Sequence, residues 1–158
     1  MTSSIFVRDS GDLRRISREL RAMDDKKLKA KFRRELRKAA QPLVPKVRQS
    51  IRNIPSQQAY SPDGLRAALS RATRVEVKTT GREAGVAIRV DGRKMPAHMK
   101  SLPSMVEGKK RWRHPVFGHD VWVDQPKQPY FYNVVRSAGV QARRAVNRVL
   151  DDISREIS

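Results

Sequence analysis

The histidines His98, His114 and His119 are the residues of this chain best suited to acid–base or metal chemistry, and the last two lie close to Asp120 and Asp124. Imidazole titrates near neutral pH and ligates metals, and a neighbouring carboxylate can orient the ring or share the ion. A hydrolase or nuclease using His114, His119 and Asp120 is the reaction class such a set would serve. The spacing argues against it. His114 and His119 are five residues apart with Pro115 and Gly118 between them, whereas a helical zinc pair needs i, i+4. The chain has no cysteine, so a zinc ribbon, a disulfide framework and a thiol nucleophile are excluded. There is no Gly-x-Ser-x-Gly elbow, no P-loop and no Gly-x-Gly-x-x-Gly turn. The expectation is a protein that is not an enzyme, with no catalytic residue, metal or cofactor.

Binding is better supported than catalysis. Lys109, Lys110, Arg111 and Arg113 surround Trp112, a grouping that suits phosphate contact combined with stacking. Trp112 and Trp122 also suit packing of a sheet on a helix. The formal net charge is +19, and residues 1–54 alone hold sixteen Lys and Arg against six Asp and Glu. Such a surface repels its own copies and attracts polyanions: nucleic acid, an anionic membrane or an acidic protein. No apolar run is long enough to span a bilayer, and MTSSIFVRDSGD lacks the apolar core of a signal peptide. The absence of cysteine fits a reducing compartment.

The elements that must position these residues follow from periodicity. The 158 residues, 38% of them apolar, suit one domain with one modest core. Leu13, Ile16, Leu20 and Met23 predict a helix over Asp12–Met23, capped by Ser10 or Asp12. Asp24 and Asp25 predict a break and a new cap. Leu28, Phe32, Leu36, Leu43, Val47 and Ile51 then form a long stripe that Pro42 and Pro45 must kink. A short helix is expected over Asp63–Arg71. Val75 and Val77, then Val86, Ile88 and Val90, alternate as a β-hairpin. Residues 1–12 are expected to be a flexible N-terminus and 92–110 an extended basic loop, with a turn of helix at Leu102–Val106. Val121-Trp122-Val123 reads as a strand, and a helix runs from Tyr130 to the end. The fold class is α+β: a small antiparallel sheet packed against a long kinked N-terminal helical region and a C-terminal helix.

The segment Arg111–Phe131, RWRHPVFGHDVWVDQPKQPYF, concentrates the aromatic residues of the chain. With the basic helical half ending in Arg34–Ala40, the Gly64-Leu65-Arg66 stretch and the hairpin before it, it resembles the minor tail-component, or tail-completion, proteins of long-tailed phages, especially those of actinobacterial hosts. The HPVFG element, Trp122 and the Pro129-Tyr130-Phe131 start of the last helix carry the resemblance. It implies a virion structural protein of the head-to-tail interface, made in the host cytoplasm. Such a tail-completion or tail-terminator subunit forms a ring, sixfold like the tail it caps. Its implied partners are its own copies, the neighbouring connector and tail-tube proteins and duplex DNA in the channel, with no membrane. The alternative is a sequence-independent DNA- or RNA-binding basic protein.

Ring contacts are heterologous, and a long loop on a scaffold can supply them. The candidate subunit contacts are His114, Pro115, Val116, Phe117, Gly118 and Trp122, with Met95 and Leu102 from the loop. Lys109, Lys110, Arg111 and Arg113 are the candidates for meeting DNA or an acidic partner. Trp112, Phe117, Trp122, Tyr130 and Phe131 are the expected apolar anchors. Within that set, Trp122 and Phe131 are expected to hold the sheet to the last helix, while His114–Gly118 faces a neighbour.

Overall fold

The computed structural model describes residues 3–7, 11–56, 59–80, 84–108, 112–115 and 122–158. Strand β1 (Ser3–Val7) is followed by helices α1 (Asp12–Ala22), α2 (Lys26–Ala40), α3 (Leu43–Arg52) and α4 (Leu65–Ala72). Strands β2 (Thr73–Lys78) and β3 (Gly85–Val90) come next, then 3-10 turns at Gly92–Lys94 and Ala97–Met99 and helix α5 (Leu102–Glu107). Strands β4 (Trp112–Pro115) and β5 (Trp122–Gln125) lead into helix α6 (Tyr130–Ile157). The α+β class read from the sequence is the observed one.

Helix boundaries follow local chemistry. Gly11, at φ +91°, precedes α1 as its cap residue and makes no side-chain cap bond, so Asp12 is the first helical residue rather than the cap, and Ser10 lies outside the described residues. That backbone region favours glycine because no Cβ clashes there. Asp25 caps α2, its carboxylate accepting from Leu28 N–H at 2.9 Å. The expected kink is a break: α2 ends at Ala40 and α3 starts at Leu43. Pro42 cannot donate a helical hydrogen bond, and Pro45 falls in the first turn of α3, where a missing N–H costs nothing.

The N-terminal residues are a correction to the sequence reading. Ser3–Val7 is not flexible but pairs antiparallel with β3, Ile5 opposite Ile88 and Val7 opposite Val86. The sheet order is β1-β3-β2, with Val75 also opposite Ile88 and Val77 opposite Val86. β3 is central, and Val86, Ala87, Ile88 and Val90 are all buried. An apolar five-residue window such as Ser3–Val7 gains little from local order alone. Its pairing depends on β3, a contact distant in sequence.

The core lies where α1, α2 and α3 meet α6 and the sheet. On α6, Phe131, Val134, Ala138, Ala142, Val146, Leu150 and Ile153 are buried at steps of three or four residues, the spacing of one helical face. Tyr132 and Val140 are exposed on the other side of the same helix. A Lys31–Glu156 ion pair joins α2 to the end of α6. Leu150→Ala should cost about 2–5 kcal/mol of unfolding free energy through the cavity it leaves. Val140→Ala, on the exposed face, should stay within about 0.5 kcal/mol. Urea unfolding of both variants beside the parent checks the pair.

Candidate functional site

The aromatic segment is an excursion from the fold, and its two ends are tied together. At its base Gln128 N–H donates to the Val106 carbonyl at 2.8 Å, and the Tyr130 hydroxyl donates to the Pro103 carbonyl at 3.1 Å. Glu107 completes the clamp. Its Oε2 accepts from Phe131 N–H at 2.9 Å and its Oε1 from Tyr132 N–H at 3.0 Å. Pro129, the cap residue of α6, makes no side-chain cap bond. Glu107 therefore satisfies orphan amides of the first turn from the end of another helix and puts negative charge at the positive end of the dipole. Burial pushes the Glu107 carboxyl above the usual carboxylate range, against the lowering effect of the amide hydrogen bonds.

Between these tied ends β4 and β5 pair antiparallel, with Trp112 opposite Gln125, Arg113 opposite Asp124, His114 opposite Val123 and Pro115 opposite Trp122. They form their own two-stranded sheet, separate from β1-β3-β2. An isolated two-stranded ribbon is marginal in water, so its attachment at Val106–Gln128 and Glu107 matters. Trp122 is 55% exposed.

The segment before the excursion is also folded. The carboxylate of Asp91 is buried and accepts from Arg74 Nη2 at 2.8 Å, from Arg93 N–H and Nε at 3.1 Å each, and from Arg93 Nη2 at 3.2 Å. The hydrogen bonds from Arg93 do most to hold its pKa down, to about 2, with the charge of Arg74 helping. This knot fixes the exit from β3 and starts the first 3-10 turn.

The expected site residues therefore divide. Residues 92–108 are two 3-10 turns and a short helix rather than an extended loop, because Met95 and Val106 bury their side chains in the core. Met95, 4% exposed, is thereby removed from the subunit contacts. Leu102 is half-buried at the start of α5. Arg113, His114 and Pro115 lie on β4, while Lys109, Lys110, Arg111, Val116, Phe117 and Gly118 lie outside the described residues. Tyr130 and Phe131 are buried, their ring centroids 5.1 Å apart. They are core residues, not anchors offered to a partner. Phe131 is buried in the core at the start of the last helix, while Trp122, on β5, is largely exposed.

His98 is exposed on the second 3-10 turn, and His119 and Asp120 lie outside the described residues. Among the described residues no group of His, Cys, Asp or Glu is placed to hold a metal, and no helix is long and apolar enough to cross a membrane. Sequence reasoning missed Glu107 and Asp91. An isolated carboxylate ending a short apolar helix was the available signal for the first, and a carboxylate closing an alternating strand between two arginines for the second.

The half-buried Glu107 and the buried Asp91 tilt stability in opposite directions. Glu107 has a raised pKa, so the folded state holds its proton more tightly, and stability falls as pH rises from about 4.3 through the raised value. Asp91 has a depressed pKa, so its contribution is present above about pH 4 and is lost as pH falls towards 2. In thermal unfolding followed against pH, Glu107→Gln should flatten the first slope and Asp91→Asn the second, each leaving the other in place. Comparison of the chain with protein-family models, with curated proteins and with solved structures finds no match in any of the three.

Proposed function

We propose that this protein is a structural subunit of the head-to-tail interface of a long-tailed phage. It is of the tail-completion or tail-terminator type and assembles into a ring, sixfold like the tail, that joins the tail tube to the head and lets DNA pass. The observation that carries this reading is the separate two-stranded ribbon of Trp112–Pro115 and Trp122–Gln125, clamped at its base and exposing Trp122. A ribbon of that kind gains its missing packing by lying on another subunit. Trp122 is the anchor, since exposed aromatics buried on assembly dominate interface energies. Partners of acidic character fit a subunit of charge +19.

Like-charge repulsion should keep the isolated protein a monomer or a weak oligomer at low salt. Light scattering coupled to size exclusion reads this directly, and a stable large ring of the pure protein at low salt would contradict it. In the parent phage, Trp122→Ala should reduce joining of heads to tails at least tenfold, the equivalent of about 1.4 kcal/mol, with the protein still folded. Wild-type joining by that variant, or a gene that does not neighbour portal, capsid and tube genes, would count against the reading.

A second reading, sequence-independent nucleic-acid binding, draws on Arg14 and Arg18 of α1 and Arg136, Arg143, Arg144 and Arg148 of α6, all exposed. It requires duplex binding whose log affinity falls linearly with log salt. Absence of binding at low salt in a fluorescence-anisotropy titration removes it.

A further inference from the structure

Between the last turns of α1, the second turn of α2 and the chain leaving β2 lies a cavity of about 320 Å³. The residues that line it include the cationic Arg21, Lys29 and Arg33 and the hydroxyl-bearing Ser17, Thr79 and Thr80. The floor is Leu20 and Phe32, 3% and 1% exposed. Arg33 Nε donates to Thr79 Oγ1 at 3.4 Å, which turns the guanidinium towards the hydroxyls. Among the described residues no carboxylate forms an ion pair with Arg21, Lys29 or Arg33. Ser17 adds an independent sign. It is 6% exposed, and its Oγ is buried without a hydrogen-bond partner. A helical serine commonly bonds back to the carbonyl one turn earlier, so an orphan hydroxyl in a cavity wall is a donor still to be used.

We propose that this cavity is an oxyanion site for a phosphate group carried on a nucleotide. The donors decide the class. Residues bearing two guanidinium groups, one ammonium and three hydroxyls line one space, a donor set larger than the two oxygens of a carboxylate can use but suited to the three or four of a phosphate. Three cations with no ion-paired carboxylate among the described residues match a dianion. The cavity is larger than a bare phosphate, and its apolar floor and the aliphatic stems of Lys29 and the arginines leave room for a flat apolar body. The site lies on α1, α2 and the end of β2, away from the β4–β5 ribbon in sequence, and does not depend on the phage reading.

Amide-resolved NMR titrations with inorganic phosphate, a nucleoside monophosphate and a glutamate-rich peptide test it at fixed ionic strength. Phosphate and the nucleotide should shift the Ser17, Thr79 and Thr80 amides, with the nucleotide binding more tightly. The double variant Lys29→Gln/Arg33→Gln should weaken both at least tenfold. The equally charged control Lys94→Gln/Lys100→Gln, both exposed and outside the cavity, should change them by less than about twofold. Ser17→Ala should raise the Tm of the free protein and lower phosphate affinity, a combination that a purely structural serine would not give. Equal weakening in the control, or no shift at those amides, overturns the site. Tighter binding of the peptide replaces it with a docking point for an acidic protein. Equal affinity for phosphate and nucleotide overturns the nucleotide part.

Discussion

The buried stripe of α6 is the constraint on which the rest of the molecule depends. A helix of 28 residues spans about 42 Å, and α1, α2, α3 and β1 all pack against it. With 38% apolar residues the chain has few side chains to spend on a core, and a single long stripe uses them economically. Helices too short or too charged to be stable alone gain their order from that shared face, since most helical stability in proteins comes from packing. The charged residues then fall outward, and ion pairs such as Arg15–Glu19 at 3.0 Å are exposed and contribute little.

α6 begins where the chain returns from the β4–β5 ribbon, so its first turn is also the anchor of the candidate interface. Glu107 connects the two roles. A carboxylate from α5 satisfies amides that Pro129 leaves uncapped, and the same contact fixes one end of the excursion. Val106 and Gln128 close its base through the backbone. A ribbon held this way keeps its direction while its own two strands stay weakly supported, which suits a surface completed by something outside the chain. Asp91 does comparable service upstream. By gathering Arg74 and Arg93 it turns a basic stretch into a packed corner that leads Met95 into the core.

The basic charge acquires structure in the same way. Much of it lies on solvent-facing helix surfaces, where it sets solubility, repulsion and long-range attraction. At Arg21, Lys29 and Arg33 it is gathered around a concavity with hydroxyls and an apolar floor, where charge becomes a local recognition feature. A net charge describes the first situation and says nothing of the second.

The amino-acid sequence by itself determined the order of the helices and of the β2–β3 hairpin between them. Periodicity located the helices from α1 to α6, Asp25 the start of α2, the prolines the break before α3, and the β2–β3 alternation its hairpin, because caps, breakers and apolar spacing act within a few residues. It also marked Arg111–Phe131 as unusual. Only the tertiary structure decided which of its aromatics are buried: Tyr130 and Phe131 enter the core while Trp122 stays exposed, although all carry similar apolar surface. Only the tertiary structure made Ser3–Val7 a strand, drew Met95 inward, brought Glu107 to the first turn of α6 and set Ser17 and Thr79 around one cavity. Each of these joins residues far apart in the chain. Such contacts depend on which surfaces meet after the α6 stripe is covered, and no local pattern encodes that.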